Sequence, residues 1–274
     1  MKNIWSSTLR EEGRKLLNNP DESLIFGGDK LHLSNTYREE HVTAWLCWIL
    51  RGDILEDTMR EKIVNYIFSN IIKSENYKQY VSGTEKEFNL PISGAKITLE
   101  YPLKGKYIDL LIESSHSVVA IENKIGDLNF KKNKKYKEDL DKQFSGKNIF
   151  GFLLLPKNDL DNYLDEEPGE KNEEKKNSKQ ETEKQNILHA FPPVTWEEFL
   201  MILRSAINHF NNDHQRWKHW KSLSLAFISF VEGNVLGYNF EEINKALLYD
   251  KSTPDYNIIR QINNYLNYRK DGFQ

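Results

Sequence analysis

Apolar residues recur with a helical period in two stretches near the start of the chain, residues 38–50 and 54–73. In the second stretch, Ile63, Ile67 and Ile71 are four residues apart and would form one apolar stripe along a helix. Polar and charged residues occupy most of the positions between them. The pattern therefore predicts two amphipathic helices.

After residue 96, short runs rich in β-branched residues replace the helical period and predict three consecutive strands, at 97–101, 107–112 and 118–125. A polar turn at 114–117 joins the second strand to the third. The charged stretch at 130–145 predicts a helix. The run at 149–155, which is stopped by Pro156, predicts a buried strand. The predicted order over 38–155 is therefore helices, three strands, a helix and a fourth strand.

The rest of the chain divides into a charged segment and a helical end. Residues 165–185 contain no apolar side chain except Pro168, which predicts a flexible surface loop, with a solvated helix as the alternative. From Val194 onward the pattern is helical, and Thr195 is the expected N-cap, with Glu198 placed as in a capping box. Further helices are predicted at about 213–232, 239–249 and 255–269. We therefore divide the chain into a core at 1–160, a flexible charged loop at 161–186, and the final core elements with a helical C-terminal part at 187–274.

Composition narrows the class of protein. The chain has 274 residues, of which 38% are hydrophobic and 29% charged, as in ordinary soluble globular proteins. Since no segment resembles a signal peptide or approaches the roughly 18 apolar residues of a membrane span, we expect a cytoplasmic protein without a membrane partner. The single cysteine, Cys47, excludes an internal disulfide and a multi-thiolate zinc site. The net charge of -3 means that a nucleic acid would bind to a local basic patch.

Two acidic residues interrupt the apolar pattern of the second and third strands. If these strands form a hairpin closed symmetrically at Ser115 and His116, paired residue numbers sum to 231. This register places Asp109 opposite Glu122, with their Cβ atoms about 4.5–5.5 Å apart. Lys124, two residues after Glu122, then lies on the same face. A bulge or a turn of odd length would break the register.

Two carboxylates held this closely repel each other, and burial raises the cost unless a cation lies between them. Mg2+ suits the position because it prefers oxygen ligands and is often held by one or two carboxylates, with waters and phosphate oxygens completing its shell. Such an ion activates water and polarises a phosphate. Lys124 can neutralise charge on the phosphate or help to position and deprotonate the water. The alternative is an exposed charged strand face on which Lys124 pairs with a carboxylate.

The pair Ile108–Asp109, followed after twelve residues by Glu122-Asn123-Lys124, resembles the motif of the PD-(D/E)XK nuclease superfamily. The string from Ala120 to Ile125 is especially similar to a defence-associated bacterial branch, and Ile108 replaces the proline of the motif. The resemblance implies an α/β, restriction-endonuclease-like fold: an α-β-β-β-α-β core with a mixed sheet, followed here by a helical C-terminal part.

In the family that this motif resembles, the aspartate and the glutamate bind the metal. This implies that Asp109 and Glu122, with the backbone carbonyl of Asn123, bind Mg2+ or Mn2+, and that Lys124 assists the attacking water.

The resemblance also implies two residues outside the hairpin. One is a metal-binding glutamate on the first core helix, for which Glu40 is our choice and Glu39 the alternative, although acids are also common at helix starts for electrostatic reasons. The other is a glutamine on the helix after the third strand. Gln143 matches it, although glutamine is also an ordinary helix-surface residue.

A run of lysines follows the predicted site: Lys131, Lys132, Lys134, Lys135 and Lys137. We predict that these residues bind nucleic acid, because a phosphate backbone would pass close to the site. The alternative is a solvated helix face, which is the usual role of a charge run.

The sequence therefore predicts a nuclease, with DNA favoured over RNA by the resemblance. Homodimerisation is an added expectation, since cleavage of a duplex needs two sites. A role in phage defence is implied by analogy alone. The first rival is a catalytically inert member of the fold that binds nucleic acid or protein, and metal binding discriminates it from the nuclease. The second is a structural protein that assembles through its aromatic C-terminal helices, for which oligomer formation is the test.

Overall fold

The computed structural model describes residues 11–12, 39–81, 94–126, 130, 132–165, 184–249 and 255–271. The chain forms two compact units. The core unit is Arg38–Ile202, and the C-terminal unit is Met1–Tyr37 together with Leu203–Gln274. The core unit extends past residue 160, because later elements complete its sheet.

The core unit contains a five-stranded sheet flanked by helices. Its strands are β1 (Lys96–Leu103), β2 (Lys106–Glu113), β3 (Ser117–Asn123), β4 (Asn148–Leu155) and β5 (Pro193–Thr195). Its helices are α1 (Glu39–Arg51), α2 (Asp57–Lys73), α3 (Glu75–Lys78), α4 (Asn133–Gln143), α5 (Lys157–Asp165), α6 (184–190) and the first residues of α7 (Trp196–His209). The predicted order of elements over 38–155 is confirmed.

The strands lie in the order β1-β2-β3-β4-β5. The β1–β2 and β2–β3 pairs are antiparallel, whereas the β3–β4 and β4–β5 pairs are parallel, so the sheet is mixed, as predicted. Each residue of the central strand β3 is buried, which explains its apolar sequence. The α/β class inferred from the sequence is therefore confirmed.

The hairpin of β2 and β3 has the predicted register. Leu110 pairs with Ile121 and Leu111 with Ala120, so the paired numbers sum to 231. The turn is closed where Ser114 N–H donates to the carbonyl of Ser117 over 2.9 Å. Since one slipped residue would exchange the two faces of a strand, this symmetric turn determines which side chains face each other.

One face of the sheet packs against α4. Leu111, Ala120 and Leu153 from the strands form a buried cluster with Tyr136 and Leu140 of α4. The apolar positions of this lysine-rich helix are four residues apart, so they lie on one side of it and bury that side. The lysines of α4 are consequently turned away from the sheet.

The sequence pattern did not predict the last strand, β5. The region from Val194 was predicted to be helical, but Pro193–Thr195 pairs with β4 in parallel before α7 begins. Three residues are too few to display an alternation, so only tertiary pairing reveals this strand. The predicted cap is confirmed, because Glu198 N–H donates to Thr195 Oγ1 over 3.2 Å.

The charged segment predicted as a loop at 161–186 is described only at its ends. Residues 161–165 belong to α5 and residues 184–186 to α6, so these ends are helical and not loop. Residues 166–183 lie outside the described residues.

The described part of the C-terminal unit is helical. Besides the end of α7, it contains α8 (Gln215–Asn234), α9 (Phe240–Asn244), a π-helix (Lys245–Tyr249) and α10 (Tyr256–Asp271). An ion pair is buried inside it, with Arg204 Nη2 2.6 Å from Glu232 Oε1. Among the helices that the structure describes, none is both long and apolar enough to cross a membrane.

Candidate active site

Asp109 of β2 and Glu122 of β3 are the next residues after the pair Leu110–Ile121 in the hairpin register. Two backbone hydrogen bonds connect them across the strands. The N–H of Asn123 donates to Asp109 Oδ2 over 2.7 Å, and the N–H of Asp109 donates to the Glu122 carboxylate. The structure therefore brings the predicted carboxylates together, as the symmetric turn requires.

Burial disfavours the charged form of both carboxylates. Glu122 is only 3% exposed, and burial, followed by the charge of Asp109, raises its pKa to about 8. Burial also raises the pKa of Asp109, while the Asn123 N–H and the Lys124 charge oppose that rise. Near neutral pH the pair therefore retains a proton unless a further positive charge is added.

The Glu122 carboxylate also has an unsatisfied atom. Glu122 Oε1 is buried and has no hydrogen-bond partner in the described part of the chain. A buried oxygen without a partner costs about 1–3 kcal/mol, and more when it is charged. This oxygen, the second carboxylate of Asp109 and the raised pKa values are what a divalent cation would relieve, so the residues present fit one.

Within the described ranges, no three His, Cys, Asp or Glu side chains are grouped closely enough to hold a metal by themselves. Structural zinc takes four protein ligands, whereas Mg2+ takes carboxylate oxygens together with waters and phosphate oxygens.

Lys124 follows β3 and is anchored by its backbone, since its N–H donates to the Leu154 carbonyl over 2.8 Å. Its ammonium lies 3.3 Å from Glu39 Oε2. Burial lowers the pKa of Lys124, but Glu39, Asp109 and Glu122 together outweigh burial and raise it. The structure thus holds a cationic ammonium beside the carboxylate pair.

The helix glutamate at this site is Glu39 and not the preferred Glu40. Besides its contact with Lys124, Glu39 accepts a hydrogen bond from the Ile125 N–H to Oε1 over 2.7 Å. Glu40 is exposed. Neighbouring residues on a helix point about 100° apart, so only one of the two can face the strand end, and the sequence does not show which.

Gln143, the predicted site glutamine, is exposed at the end of α4, where its side-chain amide donates to the hydroxyl of Tyr101. Tyr101 pairs with Ile108, the neighbour of Asp109 in β2. Burial and then the charge of Glu113 raise the pKa of this tyrosine. The role of Gln143 at the site stays a prediction.

Tyr136 is the residue of α4 that the sequence analysis missed. It is buried in the cluster that contains Leu111 and Ala120, and its pKa is raised first by burial and then by the charges of Glu122 and Asp109. The ammonium of Lys106 lies 5.6 Å from the centre of its ring. The sequence feature that could have identified Tyr136 is an aromatic residue with a polar hydroxyl inside a run of lysines.

Glu100 of β1 is a second residue that the pattern did not reveal. It lies between the pairs Leu99–Leu110 and Tyr101–Ile108, and therefore opposite Asp109. Its φ of 49° is a left-handed conformation that costs a residue with a side chain about 1–3 kcal/mol. Its charge contributes to the raised pKa of Asp109. A further carboxylate is therefore held near the pair at a strained position.

The predicted lysine run forms the exposed side of α4. Lys132, Lys134 and Lys135 are exposed, whereas Lys137 is half-buried and pairs with Asp141. Lys131 lies outside the described residues. Tyr136 of the same helix packs in the cluster with Leu111 and Ala120, and Lys134 and Lys135 lie within one helical turn of it.

The mixed sheet and the paired carboxylates define an α/β protein of the restriction-endonuclease-like class. Comparison with protein families matches residues 54–228 to the PD-(D/E)XK nuclease superfamily. The match covers more than half of the chain and contains Asp109, Glu122 and Lys124, and the chain belongs to this superfamily. Comparisons with curated proteins and with solved structures found no match.

Proposed function

We propose that this protein is a nuclease that hydrolyses phosphodiester bonds in DNA with Mg2+ or Mn2+ held at Asp109 and Glu122. The observation that carries the proposal is the buried, unpartnered Oε1 of Glu122 beside a second carboxylate and an ammonium. Membership of a superfamily of nucleases supports the reaction type. DNA is favoured over RNA by resemblance alone.

Each residue has a distinct role in the proposed reaction. Asp109, held by the Asn123 N–H, and Glu122 supply carboxylate oxygens for the ion, and the Asn123 carbonyl is the third protein ligand. When bound, the ion polarises the phosphate and lowers the pKa of water. The cationic Lys124 ammonium would orient the attacking water and stabilise the negative charge that develops on the water or on the phosphate. Glu39 holds the Lys124 ammonium in place and provides a further carboxylate at the same edge.

Electrostatics supports a polyanionic substrate despite the net charge of -3. We place the exposed Lys132, at the N-cap of α4, and Lys134 and Lys135 on that helix beside the path that a phosphate backbone would take to the proposed site. Lysines bind phosphates as point charges without reading sequence, so they would position the substrate. We propose that these lysines, with Lys131 and Lys137 from the same run, contact the backbone.

The test compares cleavage of plasmid DNA, single-stranded DNA and RNA with Mg2+, Mn2+ or EDTA. We expect metal-dependent cleavage of DNA that Lys124→Ala reduces by a factor of about 100 or more. The matched control is Lys147→Ala. Lys147 is also a half-buried lysine paired with a glutamate, Glu113, over 2.8 Å, but it lies at the other end of β2. Equal loss in both variants, or cleavage that persists in EDTA, contradicts the proposal.

The alternative is an inert member of the superfamily that binds nucleic acid or protein. Calorimetry with Mn2+ separates the two functions, since the proposed site binds the ion in the native protein and loses it in Asp109→Ala. A native protein that binds DNA but neither binds Mn2+ nor cleaves would favour the alternative.

Three finer expectations belong to the same proposal. A homodimer would supply the two sites that duplex cleavage needs, and light scattering measures it. Cytoplasmic location and a role in phage defence rest on composition and on the resemblance of residues 120–125, respectively. Protection of a bacterial host that depends on Lys124 would support the defence role.

A further inference from the structure

The side chain of Asn123, the middle residue of the Glu122-Asn123-Lys124 step, is fully buried and hydrogen-bonded at both of its polar atoms. Its Nδ2 donates to Thr43 Oγ1 over 3.0 Å and to the Glu39 carbonyl over 3.3 Å. Its Oδ1 accepts from the indole N–H of Trp196 over 3.2 Å. One amide thus connects the end of β3 to the first turn of α1 and to the start of α7.

The partners of this amide are themselves fixed. The Thr43 hydroxyl donates to the Glu39 carbonyl over 2.9 Å, so it can accept from Asn123 in only one orientation. Trp196 is completely buried, and its ring contacts Phe199 edge to face. The hydrogen bonds of Asn123 are therefore directed by groups that cannot easily rotate away.

A second set of contacts joins the same two segments in the opposite direction. The Glu39 carboxylate accepts from the Ile125 N–H over 2.7 Å and contacts the Lys124 ammonium. The side chain of residue 123 thus holds the backbone of residue 39, while the side chain of residue 39 holds the backbone of residue 125. Such reciprocal contacts determine both the position and the orientation of the helix start.

Burying an amide at this position has a cost in desolvation free energy. Each residue of β3 is buried, and an apolar side chain would avoid the cost of desolvating an amide. A buried polar group is tolerable when all of its partners are present, and it then specifies one arrangement where apolar packing allows several. The Asn123 backbone also holds Asp109 through its N–H, so a displaced amide would disturb the carboxylate pair.

We propose that the Asn123 side chain, acting through Thr43 and Trp196, is a positioning group that sets the placement of Glu39 and Lys124 relative to Asp109 and Glu122. We call Asn123, Thr43 and Trp196 the amide clamp. Its importance for catalysis rests on the proposed function, whereas its effect on the geometry of the strand end does not.

The test removes single hydrogen bonds of the amide clamp and leaves the packing nearly intact. Thr43→Val removes the hydroxyl at almost constant volume, Thr43→Ser retains it, and Trp196→Phe removes the indole N–H. The control is Ser114→Ala, which deletes a buried hydroxyl at the opposite end of the hairpin. The measurements are amide hydrogen exchange at Ile125, Mn2+ affinity by calorimetry, and thermal stability.

Thr43→Val loses the hydrogen bonds to Glu39 and from Asn123, whereas Trp196→Phe loses one. We expect both variants to accelerate exchange at Ile125 and to weaken Mn2+ binding, by roughly three- to tenfold for each lost hydrogen bond. Thr43→Ser should restore both values. Ser114→Ala should lower the thermal midpoint but leave the exchange at Ile125 and the Mn2+ affinity unchanged, because the deleted hydroxyl lies at the opposite end of the hairpin.

Unchanged exchange at Ile125 in Thr43→Val and Trp196→Phe overturns the inference, as does an equal change in Ser114→Ala. If the native protein binds no Mn2+, the proposed function fails, and the exchange comparison still decides whether the clamp sets the strand end. The two failures are therefore distinguishable.

Discussion

Two glutamates are buried in the part of the chain that the structure describes, Glu122 and Glu232, and their carboxylates have different surroundings. Glu232 in the C-terminal unit accepts a hydrogen bond from Arg204 Nη2 at one oxygen, and at the other from the Tyr265 hydroxyl over 3.2 Å. Glu122 in the core unit retains one oxygen without a partner in the described part of the chain, and its pKa is raised to about 8. The structural carboxylate of Glu232 is satisfied by neighbouring side chains, whereas the unpartnered oxygen of Glu122 is the atom to which our proposal assigns the metal ion.

The largest effect is expected when the internal partner of Glu232, Arg204, is removed. Arg204→Ala should lower the free energy of unfolding by about 3–5 kcal/mol, because it leaves a buried charge uncompensated. Denaturant unfolding measures this loss. If the folded variant is still recovered, its Mn2+ affinity should equal that of the native protein. A loss below about 1 kcal/mol would mean that Glu232 does not depend on Arg204.

The second effect concerns the pH dependence of the metal-free protein. The pKa of Glu122 is raised from 4.5 in its ordinary state to about 8 in the folded protein. The folded state therefore binds the proton more tightly than the unfolded state, and stability falls as pH rises from about 4.5 to about 8. Denaturant unfolding across this window should show the fall, and saturating Mn2+ should reduce it. Stability that rises with pH through the window would contradict the prediction.

Replacing Glu122 by glutamine tests directly whether the two buried glutamates affect stability in opposite directions. Glu122→Gln should raise the unfolding free energy of the metal-free protein at pH 7 by on the order of 1–2 kcal/mol, because folding then no longer requires residue 122 to take up a proton. The same variant should lose Mn2+ binding. Glu232→Gln is the matched control and should destabilise the protein, since it breaks a satisfied pair. The same sign of change in both variants would remove the distinction between the two glutamates.

The smallest effect is at the exposed lysines. Lys134→Ala and Lys135→Ala should each weaken DNA binding across sequences and reduce the salt dependence of log K by about 1. Filter binding at several salt concentrations measures both. Lys245→Ala, an exposed lysine of the C-terminal unit paired with Glu241, serves as the control. Unchanged salt dependence in both α4 variants would assign these lysines to a solvated helix face.

Strong local signals explain why so much of the fold was predictable. The period of two in the strands and the polar turn at 114–117 determined the hairpin register, which the pairing of Leu110 with Ile121 confirms. The helical period located α1 and α2, and Thr195 was correctly identified as the cap of α7. The three-residue strand β5 and the four-residue helix α3 were too short for any period to show, and the charged composition at 161–165 and 184–186 concealed the helical ends of that segment.

The site was less predictable, because its outer residues come from separate elements. Glu39 and Glu40 are equivalent in sequence, and only the packing of α1 selects Glu39 for the contact with Lys124. In the same way, the packing of α4 buries Tyr136 in the cluster that contains Leu111 and Ala120, whereas Gln143 is exposed and donates to Tyr101. Which face a helix turns toward a sheet depends on contacts that are distant in the chain.

By itself, the sequence determined the hairpin that carries Asp109, Glu122 and Lys124, because alternation and turn symmetry are local properties of consecutive residues. Only the tertiary structure decided which groups surround that hairpin. Asn123 meets Thr43 and Trp196 across separations of 80 and 73 residues, and no local pattern encodes such hydrogen bonds. They exist because a buried amide must find partners wherever the fold brings donors and acceptors to it.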